Sequence, residues 1–227
     1  IAQNGLVNEH INSTKLGLKG MPAIAEELQI ARDLFLLEYT GGKLHIPTIS
    51  TAKSVKLIKD AKKNGLNVTC SVAAHHLVLT DDELVNFDSN TKVLPPLRTS
   101  KDVKALIKGV NDEVIDIITS DHNPIDIEHK KVEYSTAKFG TIGLESLFGA
   151  LNKVLPLETL ITCLTTKPKN RFGIKNTSIK ENEEACLTLF NPDYEYEFTV
   201  NDIYSTSKNS IFLNKRMKGK AYGIISN

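Results

Sequence analysis

Apolar and polar residues alternate along the first three quarters of the chain in two rhythms. Apolar residues three to four positions apart predict amphipathic helices, and short runs that are continuously apolar or alternating predict strands. The predicted helices cover residues 22–40, 52–63, 100–110, 142–154 and 158–167. The predicted strands cover residues 43–49, 67–73 and 114–119. Strands and helices that alternate at this spacing indicate βαβ units with a parallel sheet, which places the chain in the α/β class.

Local signals set the ends of these helices. Pro22 suits a first helical turn, and Ser50 or Thr51 caps the second helix. Ser100 caps the third helix, and Pro168 ends the last one. On the first helix, four apolar residues share one face: Ile24, Leu28, Ala31 and Phe35.

The texture of the sequence changes after Gly173. Residues 184–225 contain short β-like runs, separated by Asn-Pro, Ser/Lys and Lys-Gly turns: ACLTLF, YEFTV, SIFLN and YGIIS. This pattern predicts a small β module. The chain is therefore divided into residues 1–173, which carry the βαβ pattern, and residues 174–227, which carry the β module.

Composition excludes several classes of function. The net charge is +1, and 24% of the residues are charged. This balance argues against a nucleic-acid partner, which needs a basic surplus. No apolar run approaches the ~20 residues of a membrane-spanning helix. Cysteines 70, 163 and 186 show no CxxC spacing, which indicates free thiols in a reducing, cytoplasmic setting. Because residue 1 is Ile, we expect the gene product to start elsewhere.

The string Ser120-Asp-His-Asn-Pro124 directly follows the predicted strand at residues 114–119. In parallel α/β barrels, catalytic residues lie at the carboxyl ends of the strands. Asp121 at such an end can serve as a metal ligand or a general base. The same string is also good turn chemistry, in which Asp121 caps the following turn. Spacing alone leaves both interpretations open.

Several strings in order resemble the dihydroorotase family, a group of metal-dependent amidohydrolases. They are LGLKGMP (16–22), LHIPTIST (44–51), AHHL (74–77), KVLPPLR (92–98), SDHNP (120–124) and FGTIGLE (139–145). The resemblance implies a (β/α)8 barrel flanked by a small β-sandwich built from both chain ends. It also implies interconversion of N-carbamoyl-L-aspartate and dihydroorotate by a zinc-bridging hydroxide.

The resemblance covers the last part of that fold. It implies a partial (β/α)8 TIM-type barrel, with its last strands and helices, followed by a C-terminal β-sandwich module. The family's His-x-His pair, bridging acidic or carbamylated residue and strand-5 His belong to segments that are absent from these 227 residues. A barrel of this type takes ~250 residues, so the chain is expected to be a fragment of the family's domain.

Three departures from the family fall on functional positions. Thr48 stands where the family's His-x-x-His-x-Ser-Thr motif has a zinc-binding His, and a hydroxyl is a poor replacement for an imidazole. Leu94 replaces a substrate-binding Asn, and Ile125 replaces a substrate-contacting His. The resemblance keeps Asp121 as metal ligand and general base. His45 cannot substitute for the lost ligand, because an offset of three along a strand points it to the opposite face.

The resemblance also places Phe139 and Gly140 at substrate-binding positions. The favoured interpretation is catalytic decay with retention of the scaffold, and zinc absent or single. One alternative is an active enzyme that uses Asp121 with zinc ligands from the absent front half. Another is a different cyclic amidohydrolase, of hydantoinase or allantoinase type. The expected partners are a small-molecule substrate if active, and aspartate transcarbamoylase or a second copy if structural.

Other polar residues leave alternatives open. His75 and His76 are expected to be one packed and one exposed residue, with a ligand or proton-relay role as the alternative. Arg98 can meet a carboxylate or pin a loop through backbone carbonyls. Glu145 is expected to act at a helix N-terminus. The three strands should be adjacent and parallel, with Asp121 at their carboxyl edge and the mouth lined by Thr48, Leu94 and Ile125.

Overall fold

The computed structural model describes residues 4–226. Within them the α-helices are α1 (Ile11–Lys15), α2 (Ile24–Thr40), α3 (Ala52–Lys63), α4 (Ser100–Asn111), α5 (Ile127–Lys130), α6 (Leu147–Leu151), α7 (Leu157–Leu164) and α8 (Thr166–Phe172). The strands are β1 (Val7–Asn8), β2 (Gly20–Met21), β3 (Leu44–Ile46), β4 (Val68–Ala73), β5 (Ile117–Thr119), β6 (Cys186–Glu197) and β7 (Arg216–Ser226). Short 3₁₀ turns follow β4 and connect the later elements.

A parallel three-stranded sheet forms the centre of the chain, in the order β3-β4-β5. Leu44 pairs with Val68, and Ser71 pairs with Ile117. The prediction of adjacent parallel strands is therefore confirmed. Among residues 4–226 this sheet does not close into a barrel. One isolated parallel bridge, between His122 and Thr141, extends the edge beyond β5.

Helix α3 packs against β4 on one side and closely against α4 on the other. Gly109 of α4 permits the approach, because a Cβ there would lie 3.0 Å from a methyl carbon of Val55 on α3. Thr99, rather than the predicted Ser100, caps α4 in a reciprocal capping box with Asp102. Thr51 caps α3, as one of the two predicted residues.

The buried face of α2 is not the face that carries the predicted apolar residues. Ile30, Leu34 and Leu37 are buried, whereas Phe35 is 73% exposed. The helix carries two apolar stripes, and contact with α3 and the sheet selects one of them. Periodicity alone cannot rank two such stripes, because it contains no information about the neighbouring element.

Two predicted helices are shorter or divided. Only Leu147–Leu151 of the range 142–154 is α-helical, because the preceding residues bond to the loop around Asn209. The range 158–167 becomes α7 and α8, and Pro168 lies in the first turn of α8 rather than after a helix end. A proline is accepted there because first-turn N–H groups have no intrahelical partner.

The C-terminal segment is a long antiparallel ribbon of β6 and β7, with register shifts near Phe190 and Asn191. The predicted Asn-Pro turn lies inside β6, and the predicted SIFLN run forms turns instead of a strand. Phe212 of this run and Met217 of β7 share a hydrophobic cluster with Ala150 of α6. The division at residues 173/174 stays a prediction. Across residues 4–226, no helix has the length and apolar character needed to cross a membrane.

Candidate functional site

Three segments leave the carboxyl edge of the parallel sheet, one from each strand. Thr48 lies just after β3, His75 lies in the 3₁₀ turn after β4, and Asp121 lies just after β5. Asp121 is thus at the predicted edge. Thr48 and Asp121 both adopt left-handed backbone conformations, with φ values of 48° and 47°. Non-glycine residues in this region are uncommon and often mark functional sites.

Asp121 faces a buried histidine. The Oδ2 atom of Asp121 lies 3.8 Å from Nε2 of His75, which is beyond hydrogen-bond length. Partial burial raises the pKa of Asp121, whose side chain is 32% exposed. Burial, with a smaller effect from the neighbouring His76, holds the pKa of His75 well below its usual value. His75 is therefore a neutral imidazole beside an accessible carboxylate.

The expectation that one of the two adjacent histidines is exposed was wrong. Both His75 and His76 are buried, and their ring centroids lie 4.4 Å apart. The alternation argument assumed a strand, whereas the chain turns into a 3₁₀ helix at Ala74. The Nε2–H of His76 donates to the Pro95 carbonyl at 3.0 Å. Burial lowers the pKa of His76 to about 4.

Thr48 is held by its backbone. Its N–H donates to the Ser71 hydroxyl at 3.1 Å, and the N–H of Ile49 donates to the Ser71 carbonyl at 2.9 Å. These bonds fix the turn after β3 to the middle of β4. A β-branched residue is strained at positive φ, whereas His and Asp are among the residues that tolerate it. Thr48 therefore both lacks an imidazole and strains a turn that suits one.

A buried polar network supports this turn from behind. The Glu26 carboxylate accepts from the N–H groups of Ser50 and Thr51 and from both the Ser50 and Ser54 hydroxyls. Arg98 is 2% exposed, and its guanidinium donates to the Ser50 hydroxyl at 3.0 Å. It donates as well to the Asn8 side chain and the Met21 carbonyl, and lies 4.0 Å from Glu26.

Both alternatives for Arg98 are thus realised together, since it meets a carboxylate and a backbone carbonyl. Sequence reasoning missed Glu26. The available signal was an acidic residue on the buried side of an amphipathic helix, two positions past the start of α2.

The remaining predicted site residues lie in two groups. Ile125 and Gly140 are joined by Asn209, which accepts from the Ile125 N–H at 3.2 Å and donates to the Gly140 carbonyl at 3.3 Å. The Phe139 ring lies 4.9 Å from the Lys92 ammonium. Leu94 is 53% exposed, in the separate loop before Pro95. The role of these residues and of Asp121 and Thr48 in binding stays a prediction.

Glu145 does not act at a helix N-terminus. Helix α6 begins two residues later and has no acidic residue in its first turn. One Glu145 oxygen accepts from the Ser205 N–H at 2.8 Å, and the other is buried with no partner. Next to it, Nδ1 of His122 accepts from the N–H groups of Gly143 and Leu144. Tertiary contact with the 205 loop therefore replaces the predicted dipole interaction.

The donor set at the carboxyl edge does not fit a complete zinc site. Catalytic zinc takes three protein ligands as a rule. Residues 4–226 contain no group of three or more His, Cys, Asp or Glu side chains that could hold a metal ion. The edge offers Asp121 and His75, and Thr48 contributes only a hydroxyl. Any zinc site at this edge needs ligands from another segment.

Comparison with known proteins adds a second kind of observation. The chain is 40% identical over 225 residues to a dihydroorotase of Caldanaerobacter subterraneus subsp. tengcongensis, covering 96% of this chain and 52% of that protein. It is 41% identical over 226 residues to a dihydroorotase of Carboxydothermus hydrogenoformans, covering 96% of this chain and 53% of that protein. The chain belongs to the dihydroorotase/cyclic amidohydrolase family. It spans about half the length of the curated relatives it matches.

Solved structures agree with the family at the level of the fold. The L-hydantoinase (dihydropyrimidinase) of Arthrobacter aurescens superposes with a TM-score of 0.84 at 25% identity, over 91% of this chain and 48% of that one. The inactive dihydroorotase-like domain of a CAD-like multifunctional protein from Chaetomium thermophilum superposes with a TM-score of 0.60 at 23% identity, over 84% and 51%. No protein-family model matches the chain.

Proposed function

We propose that this chain forms the C-terminal half of a dihydroorotase-like barrel and carries an impaired catalytic edge. On this proposal β3, β4 and β5 are the last strands of a (β/α)8 barrel, and the β6–β7 ribbon belongs to the adjoining β-sandwich. The 40% identity to a dihydroorotase over 96% of the chain supports dihydroorotate as the family substrate.

The observation that carries the proposal is the turn after β3. Its supporting network of Glu26, Arg98, Ser50 and Ser71 is intact, whereas Thr48 supplies no imidazole. On this proposal Leu94 and Ile125 stand where the family has an Asn and a His that contact the substrate, so two polar contacts are removed. A site built to hydrogen-bond its substrate loses discrimination by orders of magnitude when those groups are left out. A scaffold kept without its chemistry is what a structural homologue requires.

One observation favours an active enzyme as the second candidate. Asp121 keeps the ligand position, remains partly exposed and has a pKa raised by burial. A carboxylate with a raised pKa is better suited to accept a proton near neutral pH. In this alternative Asp121 acts with zinc ligands supplied by a front half of the barrel.

A chimera distinguishes the two candidates. The C-terminal half of the Caldanaerobacter dihydroorotase is replaced by this chain, so that the front-half ligands are supplied by a dihydroorotase. We expect no measurable dihydroorotate hydrolysis with added zinc. Turnover within tenfold of the ~10 s⁻¹ typical of enzymes would refute the impairment.

Reversion variants of the chimera identify the cause. Thr48→His alone should not restore hydrolysis, because two substrate contacts stay lost, whereas the triple change with Leu94→Asn and Ile125→His should. The matched control adds Asp121→Asn to the triple variant and should abolish the recovered activity. A folded triple variant without activity would show that the defect lies outside these three positions.

The partner assignments belong to the same proposal. A structural homologue would contribute through association with aspartate transcarbamoylase or with a second copy of itself. Size-exclusion chromatography with light scattering, with and without the transcarbamoylase, measures both. Zinc content and a cytoplasmic location stay predictions.

A further inference from the structure

The outer face of α2 exposes large apolar side chains. Four of them follow one another along one side of the helix and are 46%, 48%, 73% and 87% exposed: Ile24, Leu28, Phe35 and Tyr39. Together they form the outer stripe, and the small residue Ala31, which is exposed as well, lies at its middle. Single exposed apolar residues are ordinary on a protein surface, whereas a contiguous apolar patch marks an interaction site.

The outer stripe points away from the rest of the fold. At about 100° per residue, its members lie roughly 110–170° around the helix axis from the buried Ile30, Leu34 and Leu37. A further strand beside β3 would place its own helix beside α2, in the same layer. That helix would contact the flank of α2 rather than its outer face. Extension of the sheet beyond β3 therefore leaves the outer stripe uncovered.

The order of side chains along the outer stripe is self-complementary. Its N-terminal half is aliphatic, and its C-terminal half is aromatic. When two copies of α2 pack antiparallel about a two-fold axis beside Ala31, Leu28 lies opposite Phe35 of the second copy. The same symmetry brings Ile24 opposite Tyr39. A two-fold interface requires this reciprocity, because each of its contacts occurs twice.

The area and the charge at the outer stripe fit a reversible dimer. At ~200 Å² for each full side chain, the exposed fractions amount to roughly 500 Å² of apolar surface per copy. Two copies together reach about 1,000 Å², which is the lower limit for a biological interface. Arg32, next to Ala31, donates to the Asp33 carboxylate at 2.8 Å. The charge beside the two-fold axis is therefore neutralised within each helix.

We propose that the outer stripe binds a second copy of this chain through an antiparallel α2–α2 contact. The choice of a second copy as partner rests on the proposed function, which includes self-association, whereas the contact uses no residue of the carboxyl edge. Phe35 and Tyr39 are the anchors, because buried aromatic side chains carry much of the binding energy at protein interfaces.

Sedimentation equilibrium of the 227-residue chain measures the association. We expect a dimer fraction that rises with protein concentration. Tyr39→Asp should weaken the dimer at least tenfold, because it places a charge against Ile24 of the second copy. Tyr204→Asp, at a tyrosine that is 94% exposed and lies outside α2, should leave Kd unchanged. A chain that stays monomeric would overturn the proposal, as would equal Kd values for the two variants.

A charge-pair experiment tests the antiparallel register. Leu28→Glu and Phe35→Lys should each weaken the homodimer, because each buries an unpaired charge in the contact. Their equimolar mixture should form a heterodimer at least tenfold tighter than either homodimer, since the new carboxylate and the new ammonium then meet. The control mixture of Leu28→Glu with Phe35→Glu should not. Both positions are exposed in the single chain, so the variants are expected to fold. Failure of the oppositely charged pair to associate would refute the contact.

The front-half chimera distinguishes a second copy from other occupants. Because the outer stripe faces away from the barrel, the chimera should dimerise with the same sensitivity to Tyr39→Asp. A chimera without this sensitivity would show that the front half covers the stripe, which overturns the proposal. Loss of transcarbamoylase binding in Tyr39→Asp, with an unchanged dimer, would overturn it as well. An inactive and monomeric chimera refutes the dimer alone, whereas an active and dimeric chimera refutes only the impairment.

Discussion

The ends of β3 and β5 are built alike in their backbones and differently in their side chains. The chain leaves both strands through a residue with φ near +48°. At β5 this residue is Asp121, a type that tolerates the left-handed region; at β3 it is Thr48, a β-branched type that does not. Thr48, which the resemblance aligns with a histidine ligand, therefore holds a backbone conformation that a β-branched side chain does not suit.

The two ends also differ in the hydrogen bonds that hold them. The strained β3 end rests on the buried network of Glu26, Arg98 and Ser50. The relaxed β5 end has its carboxylate 3.8 Å from the unpaired Nε2 of His75. Shape and chemistry are therefore maintained by different residues, so a change at one end need not disturb the other.

The largest expected effect comes from removing the support of the β3 end. Glu26→Ala leaves the buried Arg98 without its carboxylate and frees the N–H groups of Ser50 and Thr51. Breaking a buried charge network in this way costs about 3–5 kcal/mol. Urea denaturation should show this loss in the free energy of unfolding. Glu38→Ala, at an exposed acid of the same helix, should stay within about 0.5 kcal/mol. A loss below 1 kcal/mol for Glu26→Ala would mean that the network does not hold the turn.

An intermediate effect concerns the end of β4, which lies between the other two. The pKa of His76 is about 4 in the folded chain, against about 6.5 in an unfolded chain. Between these values the unfolded state binds more protons, so stability falls as pH falls from 6.5 to 4. The loss amounts to about 3 kcal/mol over that window, and His75 adds to it in the same direction.

Urea midpoints at pH 7 and pH 4.5 measure this dependence. His76→Gln keeps a donor for the Pro95 carbonyl and removes the titration, so its stability should fall less over the same window. His129→Gln, at an exposed histidine, should retain the full wild-type dependence. Identical slopes for the two variants would contradict the assignment to His76.

The smallest effect compares the two left-handed residues directly. Thr48→Asn should raise the stability by about 1 kcal/mol, because Asn tolerates positive φ without the β-branch. Asp121→Asn exchanges two residues that both tolerate it and should change stability by no more than about 0.5 kcal/mol. Thermal melting of both variants measures the difference. If Asp121→Asn stabilises the chain more than Thr48→Asn, burial of the carboxylate outweighs the strain at Thr48.

Local patterns predicted the central part of the molecule. The apolar runs and helix signals located β3, β4 and β5 and their parallel order, and the residue after the last run placed Asp121 at the carboxyl edge. These features depend on hydrogen bonds and side-chain periodicity within a few residues. A local sequence pattern is therefore sufficient to predict them. The N-cap of α3 at Thr51 was predicted for the same reason, because its side chain bonds only three residues ahead, to the Ser54 N–H.

The features that were predicted wrongly all depend on contacts between residues far apart in the sequence. The sequence offered two apolar stripes on α2, and only packing against α3 decided which one is buried. Likewise, His76 became buried because the chain turns after β4 and meets Pro95 nineteen residues later. At the Asn-Pro pair the Asn191 side chain accepts from the Asp193 N–H at 2.9 Å, but the turn remains a local register shift because pairing with β7 resumes at Glu195.

By itself, the sequence determined the order and direction of the strands, the position of Asp121 and the presence of Thr48 just after β3. Tertiary structure alone decided the network of Glu26 and Arg98, in which Arg98 reaches an asparagine 90 residues away. It also buried Lys130, whose ammonium donates to the carbonyls of Ser89 and Lys138. The physical reason is that burial, desolvation and charge pairing depend on which segments meet in space, and a linear pattern specifies neighbours only along the chain.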